Sequence, residues 1–133
     1  MGFKQLVAVL AIVVFGTLYL VVGSESVSGL IDKYADEKLK DNPDKQEQVM
    51  FFNVQYTEFT AKYSRALALL SKYSDRFTKD ANRDKAQYMK AKIYDGMLDD
   101  RQATEAYKTY IDQFPDGQYI SKAKIRYSEL KNF

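Results

Sequence analysis

Beyond Pro43 the chain holds only one further proline, Pro115, and two further glycines, Gly96 and Gly117. So few breakers over ninety residues leave no room for the closely spaced turns of a small β protein, and alternation of apolar and polar residues is nowhere sustained. The segment therefore reads as helices throughout. With 133 residues, one small domain is expected. Asp44 is expected to cap a first helix with Glu47 three residues on, and Val49, Phe52, Tyr56 and Phe59 recur at helical spacing. A second helix is expected over about Tyr63 to Phe77, with Ala66, Leu69, Leu70, Tyr73 and Phe77 on one side. Asp80 or Asn82 caps a third running to Asp95, with Gly96 suited to the left-handed position that ends it. Asp99 caps a fourth through Gln113; the turn Phe114-Pro115-Asp116-Gly117 stops it, and a fifth runs from Gln118 to about Lys131.

The other strong feature is Leu6 to Val22, LVAVLAIVVFGTLYLVV, seventeen residues without a charge in a chain that is otherwise strongly polar. At about 1.5 Å per residue these reach about 26 Å, and Phe3 and Gly23 extend the run toward the roughly 30 Å of a hydrocarbon core. The expected reading is a retained transmembrane anchor over residues 1–24; a signal peptide cleaved near Val21 to Gly23 is the alternative. Lys4 before the run and Glu25 and Asp32 after it place the N-terminus in the cytoplasm and the rest outside it. Residues 25–43 follow as a juxtamembrane linker, either a solvated stalk or a short amphipathic helix presenting Leu30, Ile31, Tyr34 and Leu39. Residues 44–133 form the helical domain.

Composition narrows function. Histidine and cysteine are both absent, which removes thiol nucleophiles, disulfides, imidazole triads and the usual zinc sites. Twenty Lys+Arg against eighteen Asp+Glu, interspersed, give no nucleic-acid footprint. No cofactor or metal is expected. Acidic pairs such as Asp36-Glu37 and Asp99-Asp100 read as caps and solvated linkers, and eleven tyrosines suit helix interfaces, ring packed and hydroxyl toward water.

Sliding the chain on itself by 37 residues aligns Ala66 with Ala103, Tyr73 with Tyr110, Phe77 with Phe114, Lys85 with Lys122 and Ala86 with Ala123. A helix, a turn and a helix recur. Small residues at fixed places let paired helices approach while aromatics fill the space between pairs, the logic of a helical solenoid. Asp84 to Gly117, thirty-four residues, resembles one tetratricopeptide (TPR) repeat: Ala91 and Ala103 stand at its small positions, Tyr94 and Tyr107 at its aromatic ones, and Pro115 at its proline. Tyr110 replaces a usual small residue and Gln87 a usual tryptophan. A preceding unit from Glu47 resembles it through Val54, Tyr63, Ala66 and Leu70, with Tyr73 and Thr78 as departures, and the last helix resembles the helix that ends such arrays. Glu105 to Lys124 is similar to the TPR variants of bacterial envelope proteins, of the Tol-Pal coordinator and outer-membrane assembly lipoprotein type.

The expected fold is thus all-α, one N-terminal transmembrane helix followed by a short TPR-like solenoid of about two repeats plus a C-terminal helix. The resemblance implies a non-enzymatic scaffold or adaptor in a cell-envelope assembly, with a permanent accessory subunit of a larger inner-membrane complex as the alternative. The apolar run and its flanking charges give the expected membrane contact through residues 6–22 and a C-terminal domain outside the cytoplasm; the resemblance adds a bacterial inner-membrane, periplasmic setting and protein partners, and the small number of repeats a possible homo-oligomer. The resemblance also implies a concave partner-binding face made of Gln48, Phe51, Gln55 and Glu58 in the first unit and Lys85, Tyr88, Lys92 and Asp95 in the second. Two repeats leave an end uncovered, so Phe51 or Phe52 is expected to be an exposed contact for a partner or second copy.

Overall fold

The computed structural model describes residues 2–22 and 25–132, with the side chains of 3, 19–22, 25 and 26 outside that description. Among the described residues there are seven helices and no strand: α1 (Phe3–Val22), α2 (Glu25–Lys38), α3 (Pro43–Phe59), α4 (Tyr63–Arg76), α5 (Asp80–Gly96), α6 (Asp100–Gln113) and α7 (Ile120–Lys131).

Local chemistry sets the boundaries. Asn42, not Asp44, caps α3: its side chain accepts from the Lys45 amide at 3.2 Å. Pro43 lacks an amide hydrogen and has φ fixed near the helical value, so it fills the first helical position and moves the cap one residue before itself. Asp99 caps α6, accepting from the Gln102 amide at 3.0 Å and from its side chain at 2.9 Å. Lys79 stands at the cap of α5 without a side-chain bond, so neither Asp80 nor Asn82 holds that role. The left-handed residue after α5 is Leu98, at φ 58°, and its counterpart after α3 is Ala61, at φ 56°. Gly96 is needed for a different reason: a Cβ there would lie 2.6 Å from the Tyr63 ring. Gly96→Ala is therefore expected to lower stability by about 1–2 kcal/mol through overpacking. In a Tyr63→Ala background the same change should be neutral or stabilising, because alanine is the better helix former. Urea unfolding of the four proteins checks it, and an unchanged sign in the two backgrounds would refute the clash.

Each helix from α2 onward packs on the next in sequence, and α3 also touches α5. Such an array is held by neighbour-to-neighbour interfaces. The offset of 37 relates its parts: α3 and α5 start at 43 and 80 and end at 59 and 96, while α4 and α6 start at 63 and 100 and end at 76 and 113. Side chains follow suit. The Tyr73 hydroxyl donates to Glu47, and the Tyr110 hydroxyl donates to Asp84 at 2.5 Å. Phe51 meets Tyr73 at 5.2 Å between ring centroids, and Tyr88 meets Tyr110 at 5.6 Å. Fully buried Ala66, Ala91, Ala103 and Ala123 let the helices close up. One core cluster, around Val54, Leu69, Tyr73 and Ile93, joins α2 to α5; a second, around Tyr107, Tyr110 and Leu130, joins α5 to α7.

The segment read as stalk or helix is a docked helix. α2 lies on α3 through Ser28 and Ala35, both fully buried, whose carbonyls accept from Asn53 Nδ2 and Gln46 Nε2 at 2.9 Å each. Small residues bring it close enough for those bonds. Leu30 and Tyr34, expected on the apolar side, face out. Asp32 and Asp36 reach α4: Lys72 bridges both, at 2.9 and 2.6 Å, and Arg76 meets Asp36 at 2.8 Å. Lys72 and then Arg76 hold the Asp36 carboxyl below its usual range. Burial works to lower the Lys72 ammonium, but the two carboxylates outweigh it and the net shift is upward.

The expected membrane anchor is corrected. Among the described residues no helix is long and apolar enough to cross a membrane. α1 also opens with Lys4 and Gln5 in its first turn, a charge and an amide at the start of the run. Tyr19 to Val22, the far end of the expected span, lie outside the described side chains, and Gly23 and Ser24, on which the cleavage alternative and the span boundary fell, lie outside the described residues. The single-pass topology, the inner-membrane location with a periplasmic C-terminal domain, and the membrane contact through residues 6–22 fall with the anchor. Among the described residues the main helix–helix interfaces are those that join α2 to α7.

Candidate functional site

Helices α3 and α5 carry the residues expected to form a partner-binding face, and most of those side chains are spent on joining the helices to one another. Phe51 is buried, its ring against Tyr73 and the Lys85 ammonium 4.6 Å above it. Lys85 pairs with Glu47, which also receives the Tyr73 hydroxyl. Lys92 of α5 reaches Glu58 of α3 at 3.3 Å. Asp95 accepts two bonds from Arg126 of α7, at 2.7 and 2.8 Å, and one from the Tyr107 hydroxyl at 3.2 Å. A forked pair of this kind fixes direction as well as distance. Asp95 and then Glu129 raise the Arg126 pKa further above its already high value. Tyr88 stacks on Tyr119, 4.3 Å between centroids and 4° from parallel, and burial raises its phenol. Six of the eight residues, all but Gln48 and Gln55, are thereby engaged inside the array.

Gln48 and Gln55 are exposed, and they belong to a stripe the sequence pattern did not reveal as open. Positions 48, 52, 55 and 59 of α3 recur at helical spacing and share one side. Phe52 is 55% exposed and Phe59 87%. The helical period of Phe52, Tyr56 and Phe59 is real, but the buried side is the adjacent one: Gln46, Met50, Asn53, Val54 and Thr57. Two amides on that side donate to α2 carbonyls, which is why polar residues line a buried stripe and aromatics an open one. Tyr56 packs beside Phe52, 6.4 Å between centroids, with its buried hydroxyl lacking a hydrogen-bond partner among the described residues. A signal in the sequence was available: Gln46 and Asn53 are seven apart, the spacing of two donors along one helix side.

Among the described residues no group of three or more acidic side chains could hold a metal ion. Asp32, Asp36, Glu47, Glu58 and Asp95 each have a cation bound to them. Against models of protein families, against curated proteins and against solved structures, the chain finds no match.

Proposed function

We propose that the chain is a non-catalytic TPR-like interaction module, a scaffold or adaptor that holds another protein against α3. The observation that carries this is the open stripe with Phe52 and Phe59, two large rings kept in water at 55% and 87% exposure. Aromatic side chains flanked by groups able to hydrogen-bond are the usual anchors of protein contacts, and Gln48 and Gln55 supply the flanking amides. A partner's amphipathic helix laid along α3 would cover both rings with apolar residues two turns apart. The recurrence at 37 residues supports the TPR-like reading, since neighbour-stacked hairpins give the rigid, elongated surface that such modules present.

The test is photo-crosslinking from position 55 in cells making the full chain. An adduct with another protein is expected, and Phe52→Ser with Phe59→Ser should abolish it while leaving thermal unfolding within about 0.5 kcal/mol, because Phe59 is almost wholly exposed and Phe52 more than half, with its ring contact to Tyr56 made along the same helix. No adduct, or one indifferent to both substitutions, would sink the reading. A second reading is a permanent accessory subunit. It is favoured by α1, whose large apolar side chains from Leu6 to Leu18 are about half or more exposed and ask for lasting cover. A subunit would stay with its complex through gentle purification, whereas an adaptor would exchange with free partner.

A further inference from the structure

The register of 37 residues exposes a difference between two otherwise equivalent seams. The first, between α2 and α4 over the floor of α3, is closed by Asp32 and Asp36 on one wall and Arg65, Lys72 and Arg76 on the other. The second lies between α4 and α6 over α5. Its walls carry Leu70 and Ser74 where the first has Asp32 and Asp36, thirty-eight residues earlier, and Gln102, Thr109 and Gln113 where the first has the three cations, thirty-seven earlier. No charge pair can form across it. It stands open as a groove of about 710 Å³, continued past Lys90 and Tyr94 by a smaller one of about 180 Å³.

The floor makes the groove selective. Arg83 and Lys90 stand at the places of Gln46 and Asn53, the two donors that bind α2 in the first unit. Among the described residues Arg83 reaches only Asp80 of its own first turn, at 3.5 Å and with the Asp80 side chain 95% exposed, and Lys90 has no ion-pair partner. No acidic side chain lines the larger groove; Glu105 lines the smaller one without pairing to Lys90. Leu67, Leu70, Tyr94 and Phe114 add apolar wall, and Ser71 and Gln113 add hydrogen-bonding groups.

We propose that the α4–α6 seam binds an extended acidic segment of a partner protein, whose carboxylates take the place that Asp32 and Asp36 hold in the first seam. Arg83 and Lys90 are seven residues apart on α5, about 10 Å along its axis. An extended chain of polyproline II form rises about 3.1 Å per residue with three residues per turn, so carboxylates three residues apart fall on one side and about 9 Å apart. The proposal rests on the reading of the chain as an interaction module and names what one of its surfaces takes.

The probe is a labelled ten-residue peptide with two glutamates three residues apart in an uncharged background, titrated into the full chain by fluorescence anisotropy. It should bind, more weakly as salt rises, and its Glu→Gln counterpart at least tenfold more weakly. Arg83→Gln with Lys90→Gln should cost at least tenfold, and Lys122→Gln with Lys124→Gln, exposed cations elsewhere, should cost nothing. Ser74→Asp with Gln113→Arg rebuilds the pair that Asp36 and Arg76 make, so it should close the groove, abolish binding and raise the melting temperature. Absence of binding, equal binding of both peptides, or binding indifferent to the floor and wall changes overturns the proposal. Crosslinking from position 55 reads the broader function independently. An adduct there without peptide binding here ends the seam proposal alone, and the loss of both ends the two together.

Discussion

Raising the pH from 9 to 11 is expected to lower the stability of the array, and further alkali to unfold it, with helix content lost in step with a steep rise in tyrosinate absorbance. Tyr73, Tyr107 and Tyr110 are almost fully buried, and burial raises each phenol well above its usual range. Neighbouring Glu47, Asp95 and Asp84 push the same way, since an ionised phenol would face a carboxylate. The sign follows from linkage. The folded state keeps these phenols neutral, the unfolded state releases their protons near pH 10, and so the stability they contribute is present below pH 10 and lost above it. At pH 11 each costs about 1.4 kcal/mol, about 4 kcal/mol for the three, against a total of about 5–15 kcal/mol for an ordinary domain. Tyr88 and Tyr119 are shifted upward as well, first by burial, and add to the effect. Helix content that stays flat to pH 12 while all tyrosines titrate as exposed phenols would show that these rings are not packed as described.

That dependence on tyrosine explains which parts of the fold were legible in the sequence. The helices were, because breakers are few and Asp99 sits where a cap must. The unit of 37 residues was legible too, because Tyr73 and Tyr110 each need one ring pocket and one carboxylate, and such a demand fixes spacing. The open side of α3 was not. Periodicity reports that Phe52 and Phe59 share a side but cannot say which side is covered, and here the covering element is α2, held by amide-to-carbonyl bonds that a hydrophobicity pattern does not register. The same omission hid α2 itself, whose contact residues are Ser28 and Ala35, not Leu30 and Tyr34. The expected binding face misled for a related reason. Charged residues at the inner positions looked free for a ligand, yet stacking one hairpin on the next sets Lys92 against Glu58 and Arg126 against Asp95. The apolar run gave the membrane reading of residues 6–22, whereas among the described residues no helix is long and apolar enough to cross a membrane.

Truncating Tyr110 is expected to be among the most damaging single changes, at about 3–5 kcal/mol for Tyr110→Ala. Its hydroxyl donates to Asp84 and accepts from the Tyr119 amide at 3.0 Å, and Asp84 in turn accepts from the Gln118 amide at 3.0 Å. The ring meets Tyr88 and Phe114, each at 5.6 Å between centroids. One side chain thus ties the start of α5, the body of α6 and the entry to α7, and Gly117 has no side chain because the hydroxyl occupies that space. Tyr110→Phe keeps the ring and removes the hydroxyl, leaving Asp84 and the Tyr119 amide each short of a partner, so it should cost about 1–3 kcal/mol. Tyr73 holds the equivalent place in the first unit, between Phe51 and Phe77 at 5.2 and 5.1 Å. The two tyrosines belong to different core clusters and, among the described residues, share no hydrogen-bond or ring partner, so Tyr73→Phe and Tyr110→Phe should add within about 0.5 kcal/mol in a double-mutant cycle. Urea denaturation of the two single variants and the pair measures this. A neutral Tyr110→Phe would mean that the Asp84 bond contributes nothing. A coupling well beyond that margin would mean that the two hairpins fold as one unit, with interfaces reaching past nearest neighbours.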